Sequence, residues 1–546
     1  MSAPAEQDDA LNQVRRYHQA TKHFPNAYAR GPGSLDWDAQ PNPFRHFSGC
    51  EQVPLPLQAD RQEQTEGLEQ PFAALYQTRQ PAHNMNLAGL ACVLELSLAL
   101  SAWKQYGPSR WALRCNPSSG NLHPTEGYAL VVNLPGLADG VYHYNAEHHS
   151  LELRCRFQEQ AAPTLSPQLL IGLSSVYWRE AWKYGERAYR YCQLDVGHAL
   201  GALSYAAQLQ GWPCYLMSEA SSQDLAMLLG TRRQEDFGAA EPEVADALVQ
   251  LLPVNKSEGL GLDEWLARVR SGVWRGTANV LDRRHFYRWP IIDEVATACE
   301  KPRTQAQQVA YPQLPPPLAL ECREPAARLL RQRRSAQAFD RTTPIALQDF
   351  FALLDHLLPR QHLPPWDCLE SAPAIHLVLF VHRVEGLACG LYALARSQEG
   401  LQLLQEEFKR EFSWQKVTSA PDHLPLYHLI TGKAERMAAR LACQQAIASD
   451  SAFALAMLAE FSGPLSQSPW RYNQLYQEAG LIGQSLYIDA EAIGLRGTGI
   501  GCFFDEGVHE VLGINSEALQ SLYHFTLGGP IIDTRIISLP PYPERT

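Results

Sequence analysis

Residues 114–128 read RCNPSSGNLHPTEGY, and the apolar run 129–132, ALVV, follows them directly. Proline fixes φ, glycine permits φ values that other residues avoid, and serine and asparagine side chains can bond to the nearby backbone. The stretch therefore predicts a tight loop that leads into a buried β-strand. Such a loop can present backbone amides and short hydroxyl groups to a planar polar ligand. An ordinary turn rich in serine and glycine is the alternative interpretation.

The run NPSSGN at 116–121, with HP at 123–124 and EGY at 126–128, resembles a known cofactor loop. It is similar to the flavin-contacting loop of the nitroreductase-like FMN enzymes. The similarity is greatest to the SagB/ThcOx-type dehydrogenases, which oxidise azolines in modified peptides. The resemblance implies FMN as the cofactor and assigns flavin contacts to Pro117, Ser118, Ser119 and Asn121. It also implies an α+β fold in which helices pack on an antiparallel-rich sheet.

Composition limits the class of protein. A chain of 546 residues exceeds what one hydrophobic core usually serves, so two domains are expected. With 45% hydrophobic and 19% charged residues, the chain has the composition of a soluble globular protein. The net charge is −12 and no basic run is present, which argues against a nucleic-acid partner.

Targeting and metal-binding signals are weak. The N-terminus lacks the order of a signal peptide, and the apolar stretch 87–100 is interrupted by Glu95. We therefore expect a cytoplasmic protein that does not enter a membrane. The 12 cysteines form no C-x-x-C pair and no cluster with zinc spacing, so they are predicted to be free thiols, with no metal site.

An internal repeat indicates that one fold is duplicated. Residues 136–142, GLADGVY, recur as residues 386–392, GLACGLY, 250 positions later. A second set of positions recurs 283 residues apart: Tyr189, Gly197, Leu203, Ala207 and Gly211 match Tyr472, Gly480, Leu486, Ala490 and Gly494. The two offsets place about 33 additional residues within the second copy. Chance similarity is the alternative, and the matching order argues against it.

The repeat predicts the domain organisation. We expect an irregular N-terminal extension at 1–70, a first nitroreductase-like domain at 71–289 and a stiff proline-rich linker at 290–325. A second nitroreductase-like domain follows at 326–546, with an insertion near 406–450. Proteins of this family are homodimers with FMN at the subunit interface. The duplication therefore implies a pseudo-dimer within one chain.

The halves carry complementary elements. Arg333, Arg334 and Ser335 resemble the family element that holds the FMN phosphate and ribityl chain, and guanidinium groups bind phosphate as a bidentate fork. The glycine-rich segment resembles the one beside the isoalloxazine ring: Gly497, Thr498, Gly499, Ile500 and Gly501. Residues 78–82 of the first half, TRQPA, have lost most of these cations, and residues 370–375 of the second half lack the loop. One composite FMN site is therefore predicted.

Three further residues are assigned roles. Arg535 is a candidate phosphate contact, with a surface arginine as the alternative. Lys183 and Tyr184 resemble the pair that removes a proton in the azoline-oxidising branch while hydride passes to the flavin. Desolvation, with Arg187 and Arg190 nearby, is expected to lower the pKa of Lys183. An exposed pair, with Lys183 facing Glu186 one helical turn away, is the alternative.

The predicted function is that of an FMN-dependent oxidoreductase, a dehydrogenase or oxidase acting on a small molecule or a modified peptide. An NAD(P)H-dependent reductase of nitro compounds or quinones is the alternative within the enzyme class. A non-catalytic partner subunit of a peptide-modifying assembly is the alternative outside that class. Fold alone does not decide among these.

Overall fold

The computed structural model describes residues 4–57, 68–77, 82–158, 166–252, 259–305, 311–369 and 371–545. Residues 78–81, which belong to the first-half segment that has lost most of its cations, and Glu370 in the second-half loop lie outside these residues. Side chains are described from residue 7 onwards.

Helices make up much of the described chain. They are α1 (Pro4–Ala20), α2 (Leu87–Ser97), α3 (Tyr177–Tyr184), α4 (Ala188–Leu209), α5 (Ser222–Leu229), α6 (Gln234–Phe237), α7 (Leu262–Ser271), α8 (Pro290–Ala298), α9 (Ala326–Gln332), α10 (Leu347–His356), α11 (Gln398–Glu407), α12 (Glu435–Leu441), α13 (Ala446–Asp450), α14 (Ser462–Gln467), α15 (Arg471–Ala492) and α16 (Asp505–Leu512). Within the described ranges, none of these helices has the length and apolar composition needed to cross a bilayer.

Strands occur in both halves. They are β1 (Phe47–Ser48), β2 (Glu51–Pro54), β3 (Leu100–Tyr106), β4 (Ser109–Arg114), β5 (Thr125–Val132), β6 (Gly140–Asn145), β7 (Ser150–Arg156), β8 (Gln168–Ser175), β9 (Cys214–Leu216), β10 (Val244–Leu251), β11 (Val273–Trp274), β12 (Thr277–Ala278), β13 (Ile375–Val381), β14 (Gly390–Leu394), β15 (Gln415–Lys416), β16 (Leu426–Thr431), β17 (Phe453–Glu460), β18 (Arg496–Ile500), β19 (Leu519–Gly528) and β20 (Ile537–Leu539).

Each half has one large antiparallel sheet, and two small sheets are formed by β1-β12 and β20-β3-β4. The first sheet runs β11-β7-β6-β5-β8-β10-β9, with β2 also paired to β7. The second runs β15-β16-β14-β13-β17-β19-β18. The order β7-β6-β5-β8-β10-β9 is therefore repeated as β16-β14-β13-β17-β19-β18. The predicted α+β fold with two similar domains in one chain is confirmed.

The two longest helices, α4 and α15, pack against each other between the sheets. Both are 22 residues long and buried over most of their length. Gly197 and Gly480, a matched pair of the repeat, lie at the contact. A Cβ added at Gly197 would lie 2.1 Å from the carbonyl oxygen of Gln477, and one at Gly480 would lie 2.4 Å from that of Leu194. Glycine at these two positions allows the backbones to approach.

The N-terminal region differs from the prediction of an irregular extension, which is wrong for residues 4–20. This segment forms α1, on which Val14 and Tyr17 are fully buried. The Tyr17 hydroxyl donates a hydrogen bond to the carbonyl of Glu186 at 2.7 Å. Apolar residues three positions apart give this otherwise polar helix one buried face. That face contacts both domains, because Tyr17 also packs edge-on against Tyr472 of the second half.

The linker and the insertion also contain regular structure. Helix α8 begins at Pro290, inside the segment predicted to be a stiff linker, because proline is favoured in the first helical turn. In the second half, α11, β15, α12 and α13 have no equivalent among the described first-half elements. They occupy residues 398–450 and overlap the predicted insertion.

Candidate functional site

A cavity of about 530 Å³ lies between the two halves. Most of the predicted site residues line it: Pro117, Ser118, Ser119, Asn121, Tyr184, Arg333, Arg334, Ser335, Thr498, Gly499, Ile500 and Gly501. Lys183, Gly497 and Arg535 do not line the cavity. Segments more than 200 residues apart in the chain therefore meet around one space.

The loop before β5 has a tightly defined backbone. Gly120 and Asn121 have φ values of 58° and 60°, in the left-handed region. The side-chain amide of Asn121 donates to the carbonyl of Ala112 at 2.9 Å, and the Ser118 hydroxyl accepts from the backbone N–H of His123 at 2.8 Å. The predicted tight loop is present, and these bonds hold it at the wall of the cavity.

Asp195 on α4 anchors this loop and was not predicted. Its carboxylate accepts hydrogen bonds from the backbone N–H of Ser119 at 3.0 Å and from the Ser119 hydroxyl at 2.9 Å. Burial raises the pKa of Asp195 to about 7, although the bonds from Ser119 act in the opposite direction. A single aspartate within a helix carries no motif, so the sequence pattern could not single it out.

Arg333 is a buried cation with unused hydrogen-bonding capacity. It is 4% exposed, and its Nε donates to the carbonyl of Cys115 at 3.1 Å. Its Nη1 has no hydrogen-bond partner within the described part of the chain. The guanidinium carbon lies 4.8 Å from the ring centroid of Tyr487. A buried guanidinium that lines a cavity with an unpaired N–H is suited to an anionic ligand group.

Arg334 lines the same cavity, but its guanidinium already donates hydrogen bonds to backbone oxygens. Nη1 donates to the carbonyls of Arg331 at 2.9 Å and Arg333 at 2.7 Å, and Nη2 donates to the carbonyl of Ser101 at 3.0 Å. Burial lowers its pKa to about 10. Arg334 therefore supports the bend after α9 more than it offers donors to a ligand.

Tyr487 on α15 joins two predicted elements and was also missed. Its hydroxyl lies 2.9 Å from the Ser335 hydroxyl and accepts a hydrogen bond from the backbone N–H of Gly499 at 2.9 Å. The arginine-serine segment and the glycine-rich segment are thereby held side by side.

The glycine-rich segment forms β18, paired with β19, where the sequence pattern suggested a turn. A Cβ at Gly499 would lie 1.7 Å from the Tyr523 hydroxyl, and one at Gly501 would lie 2.3 Å from the Tyr191 ring. The two glycines thus make room for tyrosines that line the cavity. Gly497 packs instead against Phe525, which is why it does not reach the cavity.

Tyr184 reaches the cavity, whereas its neighbour Lys183 does not. A Cβ at Gly120 would lie 2.4 Å from the Tyr184 hydroxyl, so this tyrosine stands directly against the loop. Lys183 Nζ lies 5.2 Å from the Tyr184 ring centroid and 5.8 Å from that of Trp37. Burial raises the pKa of Tyr184 well above its usual value.

The predicted electrostatic environment of Lys183 is wrong in one respect. Burial lowers its pKa, as expected, and Glu180 opposes that shift. Arg187 and Arg190 do not contribute to lowering the pKa of Lys183, because both pair with buried Asp505, at 3.2 and 2.8 Å. The alternative pairing of Lys183 with Glu186 is not formed either. Glu186 lies 3.8 Å from Arg30 instead.

Arg535 lies on the surface near the C-terminus. It forms an ion pair with Asp533 at 2.8 Å, and its guanidinium lies 5.6 Å from the ring centroid of Tyr106. The structure therefore places it outside the lining of the cavity.

The pseudo-symmetric position at the other side of the interface is smaller: a cavity of about 290 Å³ that includes Leu216, Gln474 and Gln477 adjoins a nearly filled space beside the second-half loop. The lining of that nearly filled space, about 20 Å³ in volume, includes Leu216, Cys368, Leu369, Ser371, Gln474 and Glu478. Glu478, the counterpart of Asp195, forms a buried ion pair with Arg396 and accepts from the backbone N–H of Ala374 at 3.0 Å. In the first half Asp195 therefore anchors the loop at the cavity wall, whereas in the second half the equivalent Glu478 is held in an ion pair with Arg396.

A cysteine-aspartate group lies beside this second position. Among the described residues, Cys214, Asp367 and Cys368 bring three ligand atoms within metal-binding distance of one another. The two sulfurs are 3.5 Å apart, and Asp367 accepts from the Ser204 hydroxyl at 2.5 Å. The sequence predicted no metal site, because these residues come from different halves and show no ligand spacing.

Comparison with known proteins agrees with this architecture. No family model matches the chain. Over 92 residues it is 34% identical to a protein of Methanocaldococcus jannaschii described as a nitroreductase, covering 15% of this chain and 46% of that protein. Over 109 residues it is 31% identical to the trifolitoxin-processing protein TfxB of Rhizobium leguminosarum bv. trifolii, covering 17% of this chain and 29% of that one. The matched regions therefore span less than half of either relative.

A solved structure matches nearly the whole chain. It is a protein of Anabaena variabilis described as a nitroreductase, with a TM-score of 0.67 and 21% identity, and the match covers 95% of this chain and 99% of that one. Both halves of the present protein therefore have the nitroreductase fold. Together with the sequence similarities, this confirms the predicted resemblance to nitroreductase-like proteins. The toxin-processing relative agrees with the SagB-type branch of that group.

Proposed function

We propose that the protein is a flavin-dependent oxidoreductase that binds one FMN between its halves. The observation that carries the proposal is the composite cavity of about 530 Å³, which has the size of a small-molecule site. Among the buried polar atoms of its lining that have no hydrogen-bond partner in the described residues are Arg333 Nη1 and Asn116 Oδ1. A donor for an anion and an acceptor for a polar group suit a ligand that carries both a phosphate and a polar ring system.

The lining supplies residues for each part of the cofactor. Arg333 would hold the phosphate, with Ser335 beside it, and Ser118 would present its hydroxyl from the loop. Gly499 and Gly501, with Tyr523 and Tyr191 packed against them, would form the wall beside a flat ring. When bound, FMN would supply the capacity to accept or donate a hydride. The protein's own part is to bind, orient and shield the reacting groups.

We further propose a dehydrogenase of the SagB type, acting on a small molecule or a modified peptide. Tyr184 is the cavity residue to which this proposal assigns proton transfer. Burial raises its pKa, so its hydroxyl is protonated near neutral pH, and it would first give that proton to solvent in order to take the proton that the substrate loses as hydride leaves. Lys183 lies behind the ring and would act as a positioning residue, since its ammonium favours negative charge on the phenol.

One observation favours the reductase alternative. Lys183 does not line the cavity, and a reductase of nitro compounds or quinones needs no protein base to remove a proton from its substrate. NAD(P)H would then be the electron donor. In the dehydrogenase the organic substrate would reduce the flavin, whereas in the reductase NAD(P)H would reduce it.

The visible spectrum of the purified protein under anaerobic conditions tests the proposal. We expect a yellow protein that NADPH does not bleach and that an azoline-containing peptide does. Rapid bleaching by NADPH would move the assignment to the reductase. A colourless protein that added FMN cannot reconstitute would contradict flavin binding itself.

A further inference from the structure

A pair of cysteines lies next to the cavity and has no part in the proposed function. Cys443 lies in the loop between α12 and α13, and Cys502 follows β18 and lines the cavity. Their sulfur atoms are 2.7 Å apart, and both residues are partly exposed. The side chain of Gln445 donates to the carbonyls of Ala442 at 2.8 Å and Cys502 at 3.0 Å. This holds the two segments together independently of the sulfurs.

The surroundings distinguish the two sulfurs. His23 Nδ1 accepts from the backbone N–H of Ala29 at 2.9 Å, which leaves the other ring nitrogen to hydrogen-bond Cys502. Arg187 lies over the ring of Phe503 and donates to the carbonyl of Gly501 at 3.0 Å. The hydrogen bond from Cys443, helped by His23 and Arg187 and opposed by burial, lowers the pKa of Cys502. The same hydrogen bond, together with burial, raises the pKa of Cys443.

We propose that Cys443 and Cys502 are a redox-active thiol pair that closes to a disulfide by exchange with a low-molecular-weight disulfide. The Cys502 thiolate attacks one sulfur of the reagent, which forms a mixed disulfide and releases the first thiolate. Cys443 then gives its proton to that thiolate and attacks the Cys502 sulfur, which releases the second thiolate to take a proton from solvent. The two protein sulfurs lose two electrons and the reagent disulfide gains them.

Closure would tie the second-half insertion to the wall of the cavity. Cys443 belongs to the extra elements at 398–450, whereas Cys502 continues the glycine-rich segment. A covalent link between them would restrict the α12–α13 loop next to the space where the ligand is proposed to bind. The proposal needs no flavin, so it stands or falls separately from the proposed function.

The test uses the full-length protein and glutathione. The protein is equilibrated with reduced and oxidised glutathione at set ratios, alkylated, digested and analysed by mass spectrometry. We expect a peptide pair linked through Cys443 and Cys502 that dithiothreitol separates. Cys502 should react at least about tenfold faster than Cys50, which is also partly exposed but whose thiol pKa burial raises to about 11.

Single variants identify the attacking sulfur. In Cys443→Ser we expect a stable glutathione adduct on Cys502, because the resolving thiol is absent. In Cys502→Ser, Cys443 should acquire the adduct more slowly. The matched control is Cys368→Ser, which removes one sulfur of the buried pair with Cys214 and should leave linkage of Cys443 to Cys502 unchanged. Separate alkylation of Cys443 and Cys502 in the wild-type protein at the most oxidising ratio would overturn the proposal, whatever the variants do.

Discussion

Arg333 and Arg334 are adjacent in the sequence but differ in what their guanidinium groups contact. Arg334 donates to three backbone carbonyls, whereas Arg333 keeps Nη1 without a partner among the described residues. Removing a charge-assisted hydrogen bond costs about 1.5 to 3 kcal/mol. We therefore expect Arg333→Ala to weaken FMN binding by about tenfold to a hundredfold, measured by fluorescence titration of the apoprotein.

Arg334→Ala is the matched control for that measurement. Because its donors are bonded to the backbone, its loss should lower thermal stability and change FMN affinity less than the loss of Arg333. Equal FMN affinity in wild type and Arg333→Ala would show that another cation holds the phosphate.

Tyr184 offers a test of proton transfer at the cavity. Tyr184→Phe removes only the hydroxyl, so flavin content should be retained. The rate of flavin reduction by an azoline-containing peptide should fall by about a hundredfold to ten-thousandfold, the usual range for acid-base catalysis. Stopped-flow absorbance measures that rate. Lys183→Ala should have a smaller effect, since Lys183 does not line the cavity.

The second half provides a control for Tyr184. Gln467 is the equivalent position in the repeat and is exposed. Gln467→Ala should leave both flavin content and rate unchanged. An unaltered rate in Tyr184→Phe would remove this tyrosine from the mechanism and favour the reductase.

Asp195 should make stability depend on pH. Its pKa is raised to about 7 by burial, so the folded state binds a proton more tightly than the unfolded state does. Its contribution to stability is therefore complete below about pH 4 and is lost as pH rises through 7. The free energy of unfolding of the wild-type protein should fall between pH 5 and pH 8. In Asp195→Asn this fall should be smaller by about 2 to 3 kcal/mol.

Denaturant unfolding at the two pH values measures this difference. Asp246 is also buried with a pKa raised to about 7, so part of the pH dependence should remain in Asp195→Asn. Asp38→Asn, at an exposed position, is the control. Identical pH dependence in wild type and Asp195→Asn would mean that Asp195 is ionised at pH 5 in the folded protein.

At the level of elements, the contact between α4 and α15 depends on two glycines. A Cβ at Gly197 would lie 2.1 Å from the backbone oxygen of Gln477, and backbone cannot move aside as a side-chain end can. Overpacking of this kind costs about 1 to 3 kcal/mol. We expect Gly197→Ala to lower the midpoint of thermal unfolding. Gly463→Ala, at a helical position with nothing within 4 Å, should not lower it.

The same contact couples the two halves. If Gly197→Ala separates the helices, the cavity that both halves line should also lose affinity for FMN. A variant with the wild-type unfolding midpoint would show that the helices can shift apart without cost.

At the level of the whole molecule, duplication has produced two unequal interface positions. One encloses about 530 Å³, whereas at the other the space beside the second-half loop is about 20 Å³ and the adjoining cavity is about 290 Å³. Since only the first position also has the serine-rich loop and the Arg333 guanidinium in its lining, we expect one FMN per chain. The ratio is measured by releasing flavin from protein of known concentration and recording its absorbance. A ratio near two would contradict the conclusion that the second position does not hold a flavin.

Much of the architecture could be predicted because it depends on local pattern. The loop at 114–128 was recognised from proline and glycine, whose backbone preferences do not depend on distant residues. The duplication was recognised because Gly197 and Gly480 occupy the same place in each copy. The helix α1 was missed, since its apolar residues are few and become significant only when they meet the first domain.

The sequence by itself determined the tight loop and the internal repeat, because glycine, proline and repeated motifs are read locally, and its resemblance to a known family implied the α+β fold and the segments that surround the candidate site. Only the tertiary structure decided which side chains serve that site. It showed that Arg333 Nη1 has no partner among the described residues while Arg334 donates to three backbone carbonyls, that Asp195 anchors the loop, and that Arg187 and Arg190 pair with Asp505. These outcomes depend on burial and on contacts between residues far apart in the chain, and no local pattern records either.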